Sequence, residues 1–362
     1  MENFEIIATC VKLVIVLVGL LQVAPIMAWA ERRICAWMQN RSGPNRVGPW
    51  GLFQSIADAL KFVFKEDIVP AHVRKWFYLL APLICVAPAF MTFAVIPFGP
   101  VIQVMGRQVS LQVTDLNIGF VFVTAISSLA VYGMIMTTWS SNNKYAMLAG
   151  LRSTAQMISY ELAMGLSLVA IIMQYNSVNL QEIAMAQAGR LSYGQYIVNI
   201  LPNWGIFLQP LACLIFAISA FAETNRLPFD LPEGEAEIIG YHIEYGGMKW
   251  SMFFMAEYAH MTTASGLFAT FFLGGWQMFP GMGALLRMIH LESQAMYWAT
   301  VGMQILSFLI KVVLFMLFFI VVRFTLPRFR YDQLMRLGWK VLVPIALVNI
   351  VLTAALIAMK VY

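Results

Sequence analysis

Charged residues are scarce in this chain. Only 11% of its 362 residues are charged, against about 25% in an average soluble domain, and 60% are hydrophobic. This composition excludes an ordinary water-soluble domain, and the mean hydropathy of +0.75 is typical of a protein that crosses a membrane several times. The formal charge of +5 comes from basic residues near the ends of apolar stretches, so it favours an orientation in a membrane over a nucleic-acid partner.

Cysteine and histidine are also few, with four of each. The cysteines are scattered, without a CxxC pair or a Cys/His pair at ligand spacing, which excludes a disulfide framework and gives no support for zinc or an iron–sulfur site. We therefore expect no metal and no cofactor to be bound by this chain. The start, MENFEIIATC, lacks the basic residues of a signal peptide, so the first apolar run is predicted to be an uncleaved helix.

Long apolar runs take up most of the remaining sequence. Each approaches the ~20 residues that a membrane-spanning helix needs. The sequence thus predicts an all-α, polytopic membrane protein that forms a single integral membrane domain over residues 1–362. The eight predicted spans are residues 11–30, 76–98, 118–139, 157–175, 204–222, 251–275, 298–322 and 341–359.

Basic residues indicate how these spans are oriented. If the first connection is cytoplasmic, the loops on that side contain 17 of the 23 basic residues. The positive-inside rule then predicts that both termini lie on the outer side. Segments 178–200 and 276–297 become the longer external connections, and the first has room for a short surface helix.

Seven carboxylates are concentrated in the acidic loop, residues 223–250, and the start of the next span. The whole chain has only 18 acidic residues, so this clustering is unusual. Ionised groups near a bilayer are costly, and such a cluster indicates an ion, proton or substrate pathway. An alternative is a merely solvated acidic loop. The seven are Glu223, Asp230, Glu233, Glu235, Glu237, Glu244 and Glu257.

The first cytoplasmic connection, residues 31–75, contains a Gly/Pro-rich loop, SGPNRVGPWG, followed by an amphipathic pattern. Apolar residues recur at helical spacing from Leu52 to Phe64, while Asp58 and Lys61 fall on the polar side. This pattern predicts an interfacial helix. The polar side could be a simple solvated face with an ion pair at i, i+3, or it could border a polar pocket.

Three long motifs resemble one family. GPNRVGPWGLFQSIADALKFVFKED, AETNRLPFDLPEGEAEIIGYHIEYGG and RFTLPRFRYDQLMRLGWK are similar to the signature regions of the quinone-chamber membrane subunit of respiratory complex I, the proton-pumping NADH:quinone oxidoreductase. AWAERR in the first span and LRSTAQMISYE before the fourth extend the match over most of the chain. Membrane-bound hydrogenase-type complexes share part of the acidic loop, so a membrane anchor or coupling subunit of such a complex is the alternative.

The resemblance implies a subunit that is not catalytic alone. It would form the membrane part of a quinone chamber and take quinone as the substrate, while FMN and iron–sulfur clusters belong to partner subunits. The implied partners are the other membrane and peripheral subunits, quinone and the lipid bilayer of a bacterial inner membrane or an equivalent energy-transducing membrane. The implied quinone-binding residues are Glu31, Arg32, Asp58, Lys61, Phe229 and Asp230. The implied proton path is Glu161, Glu223, Glu233, Glu235, Glu237, Glu244 and Glu257.

Several roles stay open at this level. Glu161 is either a buried relay carboxylate or a hydrated residue near a helix end. His242 and His260 could be structural, and Lys311 could pair with a carboxylate or extend to an interface. A basic set could hold the acidic loop and dock the peripheral subunits, or simply retain the loops inside. This set is Arg226, Arg323, Arg328 and Arg330. An ion channel acting alone is a further competing function, which the basic Gly/Pro loop does not support.

Overall fold

The computed structural model describes residues 2–104, 106–193, 196–231, 240–283, 286 and 293–359. Within them a helix lies over each of the eight predicted spans. Six of these helices are long and apolar enough to cross a membrane. The other two lie at Pro210–Glu223, which is shorter, and at Gly247–Phe272. The prediction of an all-α membrane protein is confirmed.

The helices follow one another in this order. They are α1 Glu2–Met38, α2 Gln54–Phe64, α3 Lys75–Phe93, α4 Gly119–Ser140, α5 Lys144–Tyr175, α6 Leu180–Ala186, α7 Gly205–Leu208, α8 Pro210–Glu223, α9 Gly247–Phe272, α10 Ser293–Thr325, α11 Tyr331–Arg336 and α12 Val343–Ala358. A π-helical turn, Leu337–Leu342, joins α11 to α12 directly before Pro344, whose ring nitrogen has no hydrogen to donate to the preceding turn.

The helix α5 is longer than its predicted span. It begins at Lys144, where the side chain of Asn143 accepts a hydrogen bond from the Tyr145 amide. The polar stretch LRSTAQ, which precedes the predicted span, is therefore helical. Its Gln156 is fully buried and donates to the carbonyl oxygens of Ala222 and Phe229. A polar segment is thus satisfied by protein groups and not by water.

The fifth predicted span is divided at Gln209. Its φ of −130° and ψ of 60° are not helical, and Pro210 begins α8. The buried Gln209 donates to the Thr353 hydroxyl and accepts from Asn349, both on α12. Polar contacts of this kind hold helices together inside an apolar bundle.

Two small antiparallel hairpins accompany the helices, and neither was predicted. β1 (Val101–Val104) pairs with β2 (Arg107–Ser110), and β3 (Arg190–Tyr193) pairs with β4 (Tyr196–Pro202). Both lie in predicted external connections. The expected short helix in segment 178–200 is α6.

The core lies where α5, α8, α9 and α10 meet. Its largest side chains are aromatic, among them Tyr160, Phe216 and Phe308. Elsewhere, close helix contact depends on a small residue. A Cβ on Gly133 of α4 would lie 2.9 Å from the backbone nitrogen of Cys85 on α3, so a larger residue there would force the two helices apart.

Candidate quinone chamber and carboxylate path

A buried ion-pair cluster joins four separate parts of the chain at the end of the bundle that contains the acidic loop. Its centre is Arg226, which directly follows α8 and whose side chain is 4% exposed. Nη1 of Arg226 donates to Oε1 of Glu31 on α1 at 2.8 Å, and Nε lies 2.6 Å from Oε1 of Glu257 on α9. Arg323 of α10 contacts Oε2 of Glu31 at 3.0 Å. A buried charge is tolerated only with such partners.

Tyr258 completes this cluster. Its hydroxyl donates to Oε2 of Glu31 at 2.7 Å, and the Arg226 guanidinium lies 4.5 Å above its ring. Burial alone would lower the pKa of Arg226, but Glu257 and Glu31 hold it well above its usual value. We did not predict Tyr258 from the sequence, although it directly follows Glu257 in the FFMAEY motif.

Glu31 also borders a cavity of about 490 Å³. Arg32, Arg41 and Arg323 line this cavity together with the start of the Gly/Pro loop, Ser42 to Pro44. Its walls are therefore mainly cationic, with one carboxylate that is already paired. A polar space of this kind at the end of a helical bundle suits a ligand with carbonyl oxygens.

A second and larger cavity, of about 760 Å³, lies between α1, α2 and α9. Leu21, Ala24 and Phe254 are among its apolar residues, and Arg32, Asp58 and Lys61 form its polar edge. Arg32 borders both cavities. A mostly apolar cavity with a few convergent polar groups is the usual form of a site for a lipophilic molecule.

The predicted group of Arg32, Asp58 and Lys61 comes together on this edge. Nη1 of Arg32 donates to Asp58 at 2.6 Å, while Lys61 and Gln54 each donate to Asp58 at 3.2 Å. Partial burial would raise the pKa of Asp58, but these hydrogen bonds hold it below its usual value. Asp58 therefore stays ionised at neutral pH. The i, i+3 pair and the pocket are both present, so the two sequence interpretations are not exclusive.

The structure places Phe229 and Asp230 elsewhere. Phe229 packs between Tyr160 and Phe329, with ring centroids 5.5 and 5.4 Å away, and borders neither of the two large cavities as the described residues define them. Asp230 contacts Nη2 of Arg328 at 3.3 Å. Burial raises the pKa of Asp230 to about 6, although Arg328 opposes that rise.

The predicted path residues Glu223 and Glu257 border one small cavity, of about 40 Å³, together with His260. An adjacent cavity of about 20 Å³ also contains Glu223 and His260 on its wall, and it extends to Ser127 on α4. Ser127 and Ser128 both donate to Oε1 of Glu161. The two serines were not predicted. Their position inside an apolar span was the only sequence signal for them.

Glu244 has different neighbours. Its side chain accepts from Asn143 at 2.8 Å and lies 3.6 Å from Nε2 of His72. Neither small cavity has Glu244 among its described wall residues. The predicted path residues Glu233, Glu235 and Glu237 lie outside the described residues.

Two open cases receive a definite environment. Lys311 is fully buried and donates to the carbonyl oxygens of Gly275 and Gln277 at 2.9 and 2.5 Å. It therefore neither extends to an interface nor pairs with a carboxylate among the described residues. Burial lowers the pKa of His242 to about 4, so this side chain is neutral at pH 7.

The fold and these contacts define a class of protein, a helical membrane protein with an apolar chamber next to a buried network of carboxylates and arginines. The family model described as NADH dehydrogenase matches residues 11–354. The chain is 47% identical over 343 residues to an NADH-quinone oxidoreductase subunit of Geobacter sulfurreducens, the second of the type designated H, with 94% of each chain covered.

Other relatives agree. The H-type subunit of Bdellovibrio bacteriovorus is 45% identical, with 98% of this chain and 97% of the relative covered, and the first H-type subunit of Geobacter metallireducens is 46% identical, with 96% of each covered. The chain therefore belongs to the NADH dehydrogenase family, among the H-type subunits of the NADH-quinone oxidoreductases. The comparisons do not favour the hydrogenase-type alternative.

Proposed function

We propose that this chain, as a membrane subunit of NADH:quinone oxidoreductase, forms the membrane part of a quinone chamber and links quinone reduction to proton translocation. The family assignment supports the membership in the complex. In this proposal electrons reach the quinone from FMN and iron–sulfur clusters in partner subunits, and this chain contributes no redox group of its own.

The observation that carries the proposal is an unbroken series of contacts. Arg32 borders both large cavities, Glu31 borders the inner one, and Arg226 joins Glu31 to Glu257. A small cavity then connects Glu257 to Glu223, and the next one leads to Ser127 and its partner Glu161. Quinone chemistry at one end could thus change the charge state of carboxylates deep in the bundle.

The larger cavity is the proposed entrance. Its apolar walls suit an isoprenoid tail, and its polar edge of Arg32, Asp58 and Lys61 suits a quinone headgroup that passes inward. The exposed apolar side of α2, which includes Ile56, Leu60 and Phe64, would lie against the bilayer. In this arrangement quinone enters from the lipid between α1, α2 and α9.

The inner cavity is the proposed membrane end of the chamber. A quinone that gains two electrons must also take up two protons to form the quinol. Proton uptake next to Glu31 would disturb its pairing with Arg226 and Arg323, and Arg226 would respond through its second partner, Glu257. This shared guanidinium couples the chamber to the carboxylate path. Glu233, Glu235, Glu237 and Glu244 remain proposed members of the path on the family resemblance.

The test is Glu223→Gln in the complete complex, which keeps the side-chain shape and removes the exchangeable proton. We expect NADH:quinone activity and the proton gradient to fall together by about tenfold or more. NADH oxidation by a hydrophilic artificial acceptor should be unchanged, because that electron transfer does not need this chain. Glu182→Gln is the matched control, since Glu182 is an exposed carboxylate at the start of α6.

The proposal fails if Glu223→Gln and Glu161→Gln both assemble normally and both retain wild-type quinone reduction with a wild-type gradient. Equal loss of the quinone and artificial-acceptor activities would instead indicate failed assembly. In that case blue native electrophoresis of the complex identifies the variant as uninformative, and the Glu161→Gln variant decides.

A further inference from the structure

Three residues are shared by the walls of the two small cavities: Glu223, Thr224 and His260. The cavity volumes are about 20 and 40 Å³, and a cavity needs about 10–15 Å³ of such space to hold one water molecule. Each cavity therefore has room for water. The polar groups on their walls decide whether that water is held in place.

His260 has an unused hydrogen-bonding atom at this position. Its Nε2 is buried and has no hydrogen-bond partner among the described residues. The ring is hydrogen-bonded to the backbone of Cys85 on α3. Thr224 differs, because its hydroxyl donates to the carbonyl oxygens of Ala220 and Phe221 within its own helix end. Buried polar atoms in native proteins rarely stay without a partner, and ordered water commonly supplies it.

We propose that His260 holds a buried water molecule at the junction of the two cavities, and that this water passes protons between Glu223 and Glu257. This inference rests on the proposed function of the carboxylate path. A ring that donates from Nδ1 to the Cys85 carbonyl has Nε2 free as an acceptor, which assigns the tautomer. The water donates one hydrogen to Nε2 and the other to a carboxylate.

The transfer balances without a change of charge on the imidazole. The water oxygen accepts the proton of one glutamic acid, as the O–H bond of that acid breaks. The water then releases its own hydrogen to the second carboxylate, where the new O–H bond forms. One proton has moved from one carboxyl group to the other, and His260 remains neutral and bonded to the water. It is therefore a positioning residue.

Two substitutions separate this role from packing. His260→Leu keeps most of the side-chain volume and removes the acceptor, whereas His260→Gln retains an acceptor oxygen near the position of Nε2. In the complete complex we expect His260→Leu to lower quinone reduction about fivefold, as for one lost hydrogen bond, and His260→Gln to stay within about twofold of wild type. The solvent deuterium isotope effect should rise in His260→Leu, because proton transfer then limits turnover.

Ser265→Ala is the matched control on the same helix. Ser265 is fully buried, donates only to the Met261 carbonyl oxygen among the described residues, and borders neither small cavity as those residues define them. Its turnover and isotope effect should equal those of wild type. A high-resolution structure of the complete wild-type complex should show a water oxygen within hydrogen-bonding distance of Nε2.

Either of two results would overturn the inference. One is equal loss in His260→Leu and His260→Gln without a change in the isotope effect, which indicates packing. The other is a dry Nε2 in the high-resolution structure, and this readout remains even if His260→Leu fails to assemble. If Glu223→Gln lowers turnover and His260→Leu does not, the carboxylate path stands and only the role of His260 is wrong.

Discussion

Arg226 has three charged or polar neighbours that come from different helices, and this makes it the most constrained side chain of the site. Glu31, Glu257 and Tyr258 all lie within contact distance of its guanidinium. The fork of guanidinium donors can hold two carboxylates in fixed directions, which the single ammonium of a lysine cannot do. A change in the proton occupancy of either carboxylate must therefore alter the position or the pairing of this one cation.

Arg226→Met tests that constraint. The substitution leaves Glu31 and Glu257 buried with less compensation, and loss of one partner of a buried ion pair typically costs about 3–5 kcal/mol. We expect reduced assembly and a melting temperature of the solubilised complex lower by several degrees. Arg330→Gln is the control, because its partner Asp332 is exposed and the pair lies outside the cluster. Equal thermal stability of the two variants would contradict the role of Arg226.

Asp230 gives a pH-dependent prediction. Burial raises its pKa to about 6, and Arg328 stabilises the ionised form. Because the pKa in the folded chain is above the ordinary value, this carboxyl contributes most stability below that ordinary value and loses it as the pH rises through 6. Arg328→Gln should therefore move the titration further upward, so that more of the carboxyl is protonated at pH 7.

Infrared difference spectroscopy of the complex measures this shift. The carbonyl band of protonated Asp230 is identified by its absence in Asp230→Asn, and its midpoint should rise from about 6 in the Arg328→Gln variant. Arg336→Gln, on the exposed side of α11, should leave the midpoint unchanged. A lower midpoint in Arg328→Gln would show that the guanidinium does not stabilise the charged form.

At the scale of the element, period and length predicted the helices well and tertiary contacts explain the errors. The apolar side of α2 recurs every three to four residues, and the helix Gln54–Phe64 follows that pattern. The start of α5 was missed because Ser153 and Gln156 are polar enough for a loop. They are buried only because the chain after α8 supplies their hydrogen-bond partners. No local pattern contains that information.

The same limit applies to the site. The carboxylates were predicted because charge in an apolar chain is conspicuous. Their arrangement could not be predicted, since Arg226 and Glu31 are 195 positions apart and Arg323 and Glu31 are 292 apart. Pairings over such separations depend on how the helices pack. This also explains why Phe229 was expected at a chamber wall, whereas its ring packs in the core.

Helix α2 is the element with the clearest functional prediction. Asp58→Asn removes the charge that binds Arg32 and Lys61, so the polar edge of the larger cavity loses its fixed geometry. We expect quinone reduction to fall several-fold, with oxidation of NADH by a hydrophilic acceptor intact. Glu66→Gln, an exposed carboxylate just beyond α2, should have no effect. Wild-type quinone kinetics in Asp58→Asn would exclude this edge from the quinone route.

At the scale of the whole molecule, contacts divide the chain into two ends. Arg107 of the first hairpin lies 4.8 Å from the ring of Phe4, and the backbone of Gln103 donates to the Tyr297 hydroxyl at the start of α10. The N-terminus, this hairpin and the start of α10 are therefore on one side. The ion-pair cluster, α2 and Asp230 follow the opposite ends of the same helices. Those opposite ends carry most of the basic loops, as the positive-inside rule expects of a cytoplasmic side.

The basic set has partners within the chain. Arg323 contacts Glu31, Arg328 contacts Asp230 and Arg330 contacts Asp332. These contacts favour a role in holding the acidic segment, and docking of the peripheral subunits by these side chains stays a prediction. The distribution of the remaining basic residues bears on a separate property, the direction in which the chain is inserted.

Orientation can be tested on the intact cell. We expect a membrane-impermeant maleimide to label Arg107→Cys from outside, because this exposed residue lies beside the N-terminus on the face with few basic residues. Glu66→Cys should be labelled only after the membrane is made permeable, because it lies in the basic connection after α2. The unsubstituted chain is the control, since Cys10 is exposed and three other cysteines are buried. The opposite labelling pattern would invert the chain and place the proposed chamber on the outer side, where electrons from NADH do not arrive.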